Sequence, residues 1–172
     1  MKTMISVLTA ASMALTMAAC NKDGNDGMNQ ADKEFFERAA YAHNAAVELG
    51  NLASANGSEA TVKSYAAIVV TEHNTARTEL KLQAGERNYT LPTNSDLEHQ
   101  ALKIVLDGKS GRGFDSIYMK GQVADHIQTI GIMQDEINNG KDQELKNYAA
   151  KYLPQAQQQK TAADAIVAAM NY

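Results

Sequence analysis

The sequence predicts an all-α protein, a four-helix bundle with a short extra helix between helices 2 and 3. Three observations lead to this fold class. Helix-favouring residues dominate, Trp is absent, and only two prolines occur. Four long segments repeat their apolar residues at alternating spacings of three and four, which is the pattern of one buried helix face. A shorter segment with the same periodicity separates the second long segment from the third.

The first two long helices are predicted from their stripes and from capping residues. Asp32 can cap the first helix and Ser58 the second, because their side-chain oxygens can accept hydrogen bonds from free N–H groups. Asn56-Gly57 ends the first helix, and Gly85 follows the second. The first stripe consists of Phe35, Ala39, Ala42, Ala46, Leu49 and Ala53, and the second of Val62, Ala66, Val69, His73, Ala76 and Leu80.

The short helix covers about residues 96–107, and a glycine-containing loop at 108–113 separates it from the third long helix. Gly140 ends that helix, and Asp142 can cap the fourth. The third stripe consists of Met119, Val123, His126, Ile130, Met133 and Ile137, and the fourth of Leu145, Ala149, Tyr152, Ala156, Gln159, Ala163, Ile166 and Met170. The extra helix allows the crossover connection found in ferritin-like bundles.

The first 31 residues predict export and lipid anchoring. Lys2 precedes an uncharged, mostly apolar stretch, so residues 1–19 have the charge pattern of a signal peptide. This stretch is shorter than the roughly 20 apolar residues that span a bilayer. It ends in Met17-Ala18-Ala19-Cys20, which resembles a bacterial lipobox and contains the only cysteine. We therefore expect a lipidated Cys20 to attach the protein to the lipid bilayer of the outer membrane.

Residues 20–31 are polar and read as a flexible tether, so the bundle domain is expected to cover residues 32–172. The alternative is a plain secreted protein, cleaved after Ala19, that keeps a free thiol. Loss of Lys2 with the signal peptide leaves a net charge of −5, from 15 Lys and Arg against 20 Asp and Glu. Without a basic patch, nucleic acid is not an expected partner, and the sequence does not identify a protein partner. No nucleophile motif occurs, so no catalytic residue is assigned.

The predicted core contains three polar residues near the middle of their helices. His73, His126 and Gln159 occupy stripe positions, so they should meet in one layer, at the depth of Ala46 in the first helix. Buried polar groups are tolerated when they are hydrogen-bonded or bound to a metal. His43 and His99 lie off the stripes and are predicted to be surface residues.

Two interpretations of this layer remain open. In the favoured one, His73, His126 and Gln159 form a buried polar layer, and no cofactor is expected. In the other, a metal site binds Fe, Mn or Zn, which suit imidazole and carboxylate ligands. Its candidate ligands are His73, His126, Glu48, Glu72 and Asp125.

A family resemblance covers about residues 32–168. Its motifs include Val47-Glu48-Leu49-Gly50, Glu72-His73, Leu91-Pro92, Asp125-His126 and Leu153-Pro154, in this order. With these motifs the chain resembles the domain of unknown function 4142 family, ferritin-like bundles common among bacterial envelope lipoproteins. Members often carry Glu at the position of Ala46 and His at that of Gln159. The resemblance therefore implies a Glu/His/His/His metal cage, of which this chain has lost half.

Three functions are compatible with the sequence. The favoured one is a non-enzymatic bundle anchored to the outer membrane, with envelope stress as one context. The second is a metal-binding or oxidase-type ferritin-like protein that uses His73 and His126. The third is a lipoprotein that binds a protein partner in a larger envelope assembly.

Overall fold

The computed structural model describes residues 27–170. The predicted signal peptide, Cys20 and most of the predicted tether lie outside these residues. The described part contains five helices and no strand, which confirms the predicted fold class. The helices are α1 (Gln30–Asn56), α2 (Ala60–Glu86), α3 (Leu97–Asp107), α4 (Gly111–Asn139) and α5 (Gln143–Ala169).

Contacts between helix ends establish a ferritin-like topology. The Asn29 side chain, at the start of α1, donates to the Asn139 carbonyl at the end of α4, over 2.8 Å. Arg87, just after α2, pairs with Asp142 at the start of α5, over 2.7 Å. The start of α2 lies beside the start of α4, where Asp115 accepts a hydrogen bond from the Ser58 backbone. Neighbouring long helices are therefore antiparallel, and the chain between α2 and α4 must traverse the length of the bundle.

This crossover comprises residues 87–110 and contains α3, which packs against α1 and α4. The predicted loop at 108–113 is too long, because α4 already begins at Gly111. This glycine has a φ of +59°, a left-handed conformation that lets the chain turn sharply into the helix. Gly85 likewise does not follow α2 but lies in its last turn, which ends at Glu86.

The predicted cap of α1 is wrong by three residues. Asn29 is the N-cap, and Asp32 is the third residue of the helix, where the two form a capping box. The Asp32 carboxylate also accepts from the backbone N–H groups of Lys141 and Asp142, over 2.8 and 2.9 Å. This buried carboxylate therefore joins the start of α1 to the loop between α4 and α5.

The predicted cap of α2 is also wrong. Ser58 does not accept a hydrogen bond from the helix; its hydroxyl donates to Asp115 of α4, over 2.6 Å. Asp115 also accepts from the backbone N–H groups of Ser58 and Glu59. The sequence predicted that the Ser58 hydroxyl accepts hydrogen bonds at the start of α2. In the structure the Asp115 carboxylate of α4 is the acceptor there. The predicted cap of α5 is confirmed, since Asp142 accepts from the N–H groups of Glu144 and Leu145.

Two clusters of buried apolar residues form the core. The cluster at the Asn29 end includes Phe35, Phe36, Leu80, Met133, Leu145 and Tyr148. The cluster at the Asp115 end includes Leu49, Val62, Val69, Phe114, Tyr118 and Met119. Polar residues lie between the two clusters. None of the helices within residues 27–170 has the length and hydropathy needed to cross a membrane.

Candidate functional site

A chain of hydrogen bonds crosses the bundle between the two apolar clusters. The Nδ1 atoms of His43 and His73 are 3.0 Å apart. His73 Nε2 lies 3.2 Å from Oε1 of Gln159, whose amide Nε2 donates to a Glu72 carboxylate oxygen over 2.7 Å. At the other end of the chain, His43 Nε2 is 2.7 Å from the Tyr148 hydroxyl. These contacts connect α1, α2 and α5, and we call the five residues the polar chain.

The carboxylate at one end gives the polar chain a direction. Glu72 accepts, so Gln159 donates its amide hydrogen there and presents Oε1 to a donor. His73 then carries its proton on Nε2, and its bare Nδ1 accepts from His43 Nδ1–H. The remaining lone pair, on His43 Nε2, accepts from the Tyr148 hydroxyl. That hydroxyl lies 2.7 Å from His43 Nε2 and 3.0 Å from the Ala76 carbonyl, so it can be shared between two acceptors.

The core histidines are neutral at pH 7. Burial lowers the pKa of His43 well below its ordinary value, and the neighbouring His73 lowers it further. Burial also lowers the pKa of His73 to about 4. Burial and the nearby His73 lower the pKa of His126 to about 3. In each case the low-polarity interior disfavours the imidazolium form.

His126 lies beside the polar chain without joining it. Its ring centroid is 5.9 Å from that of His73. Its Nε2 is 2.8 Å from the Tyr65 hydroxyl, and that hydroxyl also contacts the Gln159 carbonyl over 3.4 Å. Among the described residues, none forms a hydrogen bond with Nδ1 of His126.

A cavity of about 340 Å³ opens beside His126, between α1 and α4 and beneath the start of α3. Gln122, one turn before His126, also lines it, and its Oε1 has no partner among the described residues. The cavity wall further includes Tyr41, Ala42, Ala45, Ala46, His73, Asp96, His99, Asp125, Thr129 and Ile132.

His99 closes the cavity under α3 with two carboxylates. Its Nδ1 is 2.6 Å from Asp96 and its Nε2 is 3.1 Å from Asp125. The hydrogen bond to Asp125, together with Asp96, raises the pKa of His99 to about 9 against the opposing effect of burial. This histidine is therefore positively charged at pH 7, unlike the three in the core.

The structure brings the predicted layer residues together. His73 and Gln159 are hydrogen-bonded, His126 packs beside His73, and Ala46 lines the same cavity. The prediction that His43 and His99 are surface residues is wrong, since they are only 2% and 8% exposed. The first helix contributes His43 to the layer, in addition to Ala46.

Sequence reasoning missed His43 because α1 has two buried stripes. The second one consists of Phe36, Ala40, His43, Val47 and Gly50, also at spacings of four and three. α1 contacts α2, α4 and α3, so a wider part of its surface is covered than in a helix with one buried face. This second periodicity in the sequence could have predicted that His43 is buried in the bundle.

The five candidate metal ligands do not surround one point. Glu48 accepts a hydrogen bond from the Ser95 hydroxyl, Glu72 from Gln159, and Asp125 from Gln122. Both ring nitrogens of His73 are occupied by contacts within the polar chain. Across residues 27–170, no group of three or more His, Cys, Asp or Glu side chains is arranged to hold a metal ion. The side chains present therefore do not form the cage that the family resemblance implies.

The antiparallel neighbours and the long crossover define the class as a ferritin-like helical bundle. Residues 17–166 match the family described as Domain of unknown function (DUF4142). Because this match covers most of the chain, the protein belongs to that family, and the predicted family is confirmed. The name of the family states no activity.

A similar solved structure supports the fold. It is the crystal structure of a DUF305 fragment from Deinococcus radiodurans, with a TM-score of 0.73 and 11% sequence identity. The alignment covers 82% of this chain and 97% of that fragment. At this identity the likeness concerns the fold alone. A comparison with curated proteins gives no match.

Proposed function

We propose that the protein is a non-enzymatic ferritin-like bundle, anchored to the outer membrane through a lipidated Cys20. The polar chain is the observation that carries the non-enzymatic part. Tyr148, His43, His73, Gln159 and Glu72 are hydrogen-bonded one after another, so all four ring nitrogens of His43 and His73 are already occupied. A layer that satisfies itself in this way stabilises and aligns helices.

The sequence around Cys20 supports the anchoring part. The apolar stretch before it has the length of an export signal, and Ala18-Ala19-Cys20 fits lipobox processing. Gln30, the first residue of α1, follows Cys20 by ten positions. A chain of that length reaches at most roughly 35 Å, so the bundle would stay close to the bilayer.

Replacing Cys20 with Ser tests the anchoring. The protein should move from the membrane fraction to the soluble fraction and lose the mass of its lipid, because several acyl chains are needed for stable attachment. Thr16→Ser, just outside the lipobox, is the matched control and should leave the protein on the membrane. Membrane retention of Cys20→Ser, with no lipid mass in the original protein, would contradict the proposal.

Metal binding at His126 is the second candidate function. Its Nδ1 has no hydrogen-bond partner among the described residues, and Asp125 precedes it in the sequence. Elemental analysis of protein isolated from its native envelope tests this candidate. A stoichiometric metal that disappears in His126→Gln, but remains in His99→Gln, would favour it over the non-enzymatic bundle.

A further inference from the structure

The short helix α3 carries apolar residues on the side that faces away from the bundle. Its inner side packs against α1 and α4 and includes Leu106, which is fully buried. On the opposite side, Leu97 and Ile104 are 82% and 74% exposed. Single exposed apolar residues are common on protein surfaces, but several on one helix face indicate an interaction surface. The outer face of α3, as we call it, consists of the exposed residues Leu97, Ala101, Ile104 and Val105.

The outer face of α3 runs along the side of the bundle. His99 of α3 contacts Asp125 of α4, and Leu102, about one turn later, lies against Gly121, about one turn earlier in α4. The helix α3 is therefore antiparallel to α4 and parallel to α1. A flat surface that contacts the outer face lies along the bundle and not across one of its ends.

The tether proposed above has the length to hold the bundle in this orientation. Ser95, just before α3, donates to Glu48 of α1 over 2.8 Å. Glu48 lies about five turns beyond Gln30, so α3 begins roughly 27 Å along α1 from the point where the tether joins it. With α3 on a bilayer, α1 lies about one helix diameter, roughly 10 Å, above the surface. The chain between Cys20 and Gln30 reaches at most roughly 35 Å and therefore spans this gap.

The size and the charge of the outer face suit a bilayer better than a protein. A stable protein interface buries about 800 Å² on each partner, which is far more than four side chains on a helix of 11 residues offer. The charged residues next to the face balance one another, with Glu98 and Asp107 against Lys103 and Lys109. Such a balance suits zwitterionic lipids, whereas helices that bind anionic lipids are rich in Lys and Arg.

We propose that the outer face of α3 rests on the bilayer that holds the lipid anchor, in contact with zwitterionic headgroups and the upper part of the acyl chains. The proposal rests on the anchoring through Cys20. Four apolar side chains bind a bilayer weakly by themselves, because binding strength increases with the buried apolar area. The anchor keeps them at a high local concentration, which strengthens such a contact by roughly 10²–10⁴-fold. The bundle thereby lies on its α1 and α4 side and does not stand on one end.

Tryptophan fluorescence tests the proposal, because the chain contains no Trp. Ile104→Trp places a single indole on the outer face, and Leu82→Trp, at a 66% exposed position of α2, is the matched control. Each protein is isolated with its lipid and reconstituted into phosphatidylcholine vesicles with brominated acyl chains, which quench only nearby fluorophores. We expect most of the fluorescence of Ile104→Trp to be lost and little of that of Leu82→Trp. Adding Leu97→Ser to Ile104→Trp should weaken the quenching.

The same preparations separate the outer face from the anchor. Mass spectrometry shows whether Cys20 carries lipid, and its absence would refute the anchoring. Cys20, the sole cysteine, is then coupled to a maleimide phospholipid in the vesicles, so the outer face is still tested. Equal quenching of Ile104→Trp and Leu82→Trp in protein attached by either route would overturn the proposal. Dimers that shift the emission of Ile104→Trp to shorter wavelength without vesicles would assign the face to a second copy and would also overturn it.

Discussion

His43 and His73 share a single proton between their Nδ1 atoms, 3.0 Å apart in the centre of the bundle. Two neutral imidazoles can pair in this way only when one donates and the other accepts. Glu72 determines which histidine donates. It accepts from the Gln159 amide, so Gln159 Oε1 faces His73 and the proton of His73 lies on Nε2. A partly exposed carboxylate of α2 thus determines the protonation pattern of two buried histidines.

Acidification should destabilise the protein below pH 6.5. The unfolded histidines take up protons near that pH, whereas folded His73 and His126 do so only near pH 4 and 3. The contribution of these two histidines to stability is therefore complete above pH 6.5 and declines as the pH falls, by about 1.4 kcal/mol per pH unit for each histidine. His99 does not offset this loss, because its raised pKa of about 9 leaves it protonated in both states below 6.5.

Urea unfolding at several pH values between 7 and 5 measures this decline. Side-chain ¹⁵N spectra of the folded protein supply the control, since they report the charge of each ring directly. The prediction fails if His73 or His126 is an imidazolium at pH 6 while the protein remains folded.

Removing Gln159 should destabilise the bundle at pH 7. Gln159→Leu deprives His73 Nε2–H of its acceptor and Glu72 of its donor, at a cost of roughly 1–3 kcal/mol. Gln157→Leu, at an exposed position of the same helix, is the matched control and should change the free energy of unfolding little. Equal midpoints of thermal unfolding for the two variants would show that the polar chain contributes nothing.

Glu136→Gln should stabilise the protein relative to the original, and this gain in unfolding free energy should grow as the pH rises. Glu136 is 1% exposed, and burial together with the nearby Asp32 raises its pKa to about 8. The folded protein therefore keeps a proton that the unfolded chain releases near pH 4.5, and stability falls as the pH rises from 4.5 to 8. A neutral glutamine avoids this loss, roughly 2–4 kcal/mol in total.

The test compares unfolding free energies of Glu136→Gln and the original protein at pH 5 and pH 8. The gain should be larger at pH 8, and Glu37→Gln, at an exposed position of α1, should show no such dependence. A gain that is the same at both pH values would contradict a buried, protonated Glu136.

Asp115→Ala should loosen the start of α2. The variant leaves the backbone N–H groups of Ser58 and Glu59 without their acceptor, which should cost roughly 2–3 kcal/mol. Asp164→Ala, which breaks only a surface pair with Lys160, should cost less than about 0.5 kcal/mol. Hydrogen exchange of the amides at 58–62 measures the local effect, and unchanged protection there would refute this role of Asp115.

The sequence predicted the helices well because their boundaries depend on local chemistry. Gly140 directly follows the last residue of α4, and Asp142 caps α5 because its side chain accepts from the N–H groups of Glu144 and Leu145. The cap of α2 could not be predicted, because Asp115 is distant in sequence and reaches Ser58 only after α4 has packed diagonally across the bundle.

The site was only partly predictable for a related reason. His73, His126 and Gln159 interrupt apolar stripes, and an interruption is visible in a sequence. Gln122 and Glu136, in contrast, occupy buried positions of α4 beside the predicted stripe, whose members Val123 and Ile130 are only partly buried. Several residues on the buried face of α4 are polar. Hydrophobic periodicity therefore predicted a buried face that is rotated slightly about the helix axis from the observed one.

The polar chain also decides how the helices are aligned along their axes. Between Phe35 and Leu49 the α1 stripe contains only the small residues Ala39, Ala42 and Ala46, so the middle of this helix offers little apolar resistance to sliding by one turn, about 5.4 Å. The bond between His43 and His73 cannot tolerate that displacement, because both rings would lose their partners inside the core. In the middle of the bundle, these hydrogen bonds therefore favour one alignment of α1, α2 and α5, in addition to the large apolar residues at either side.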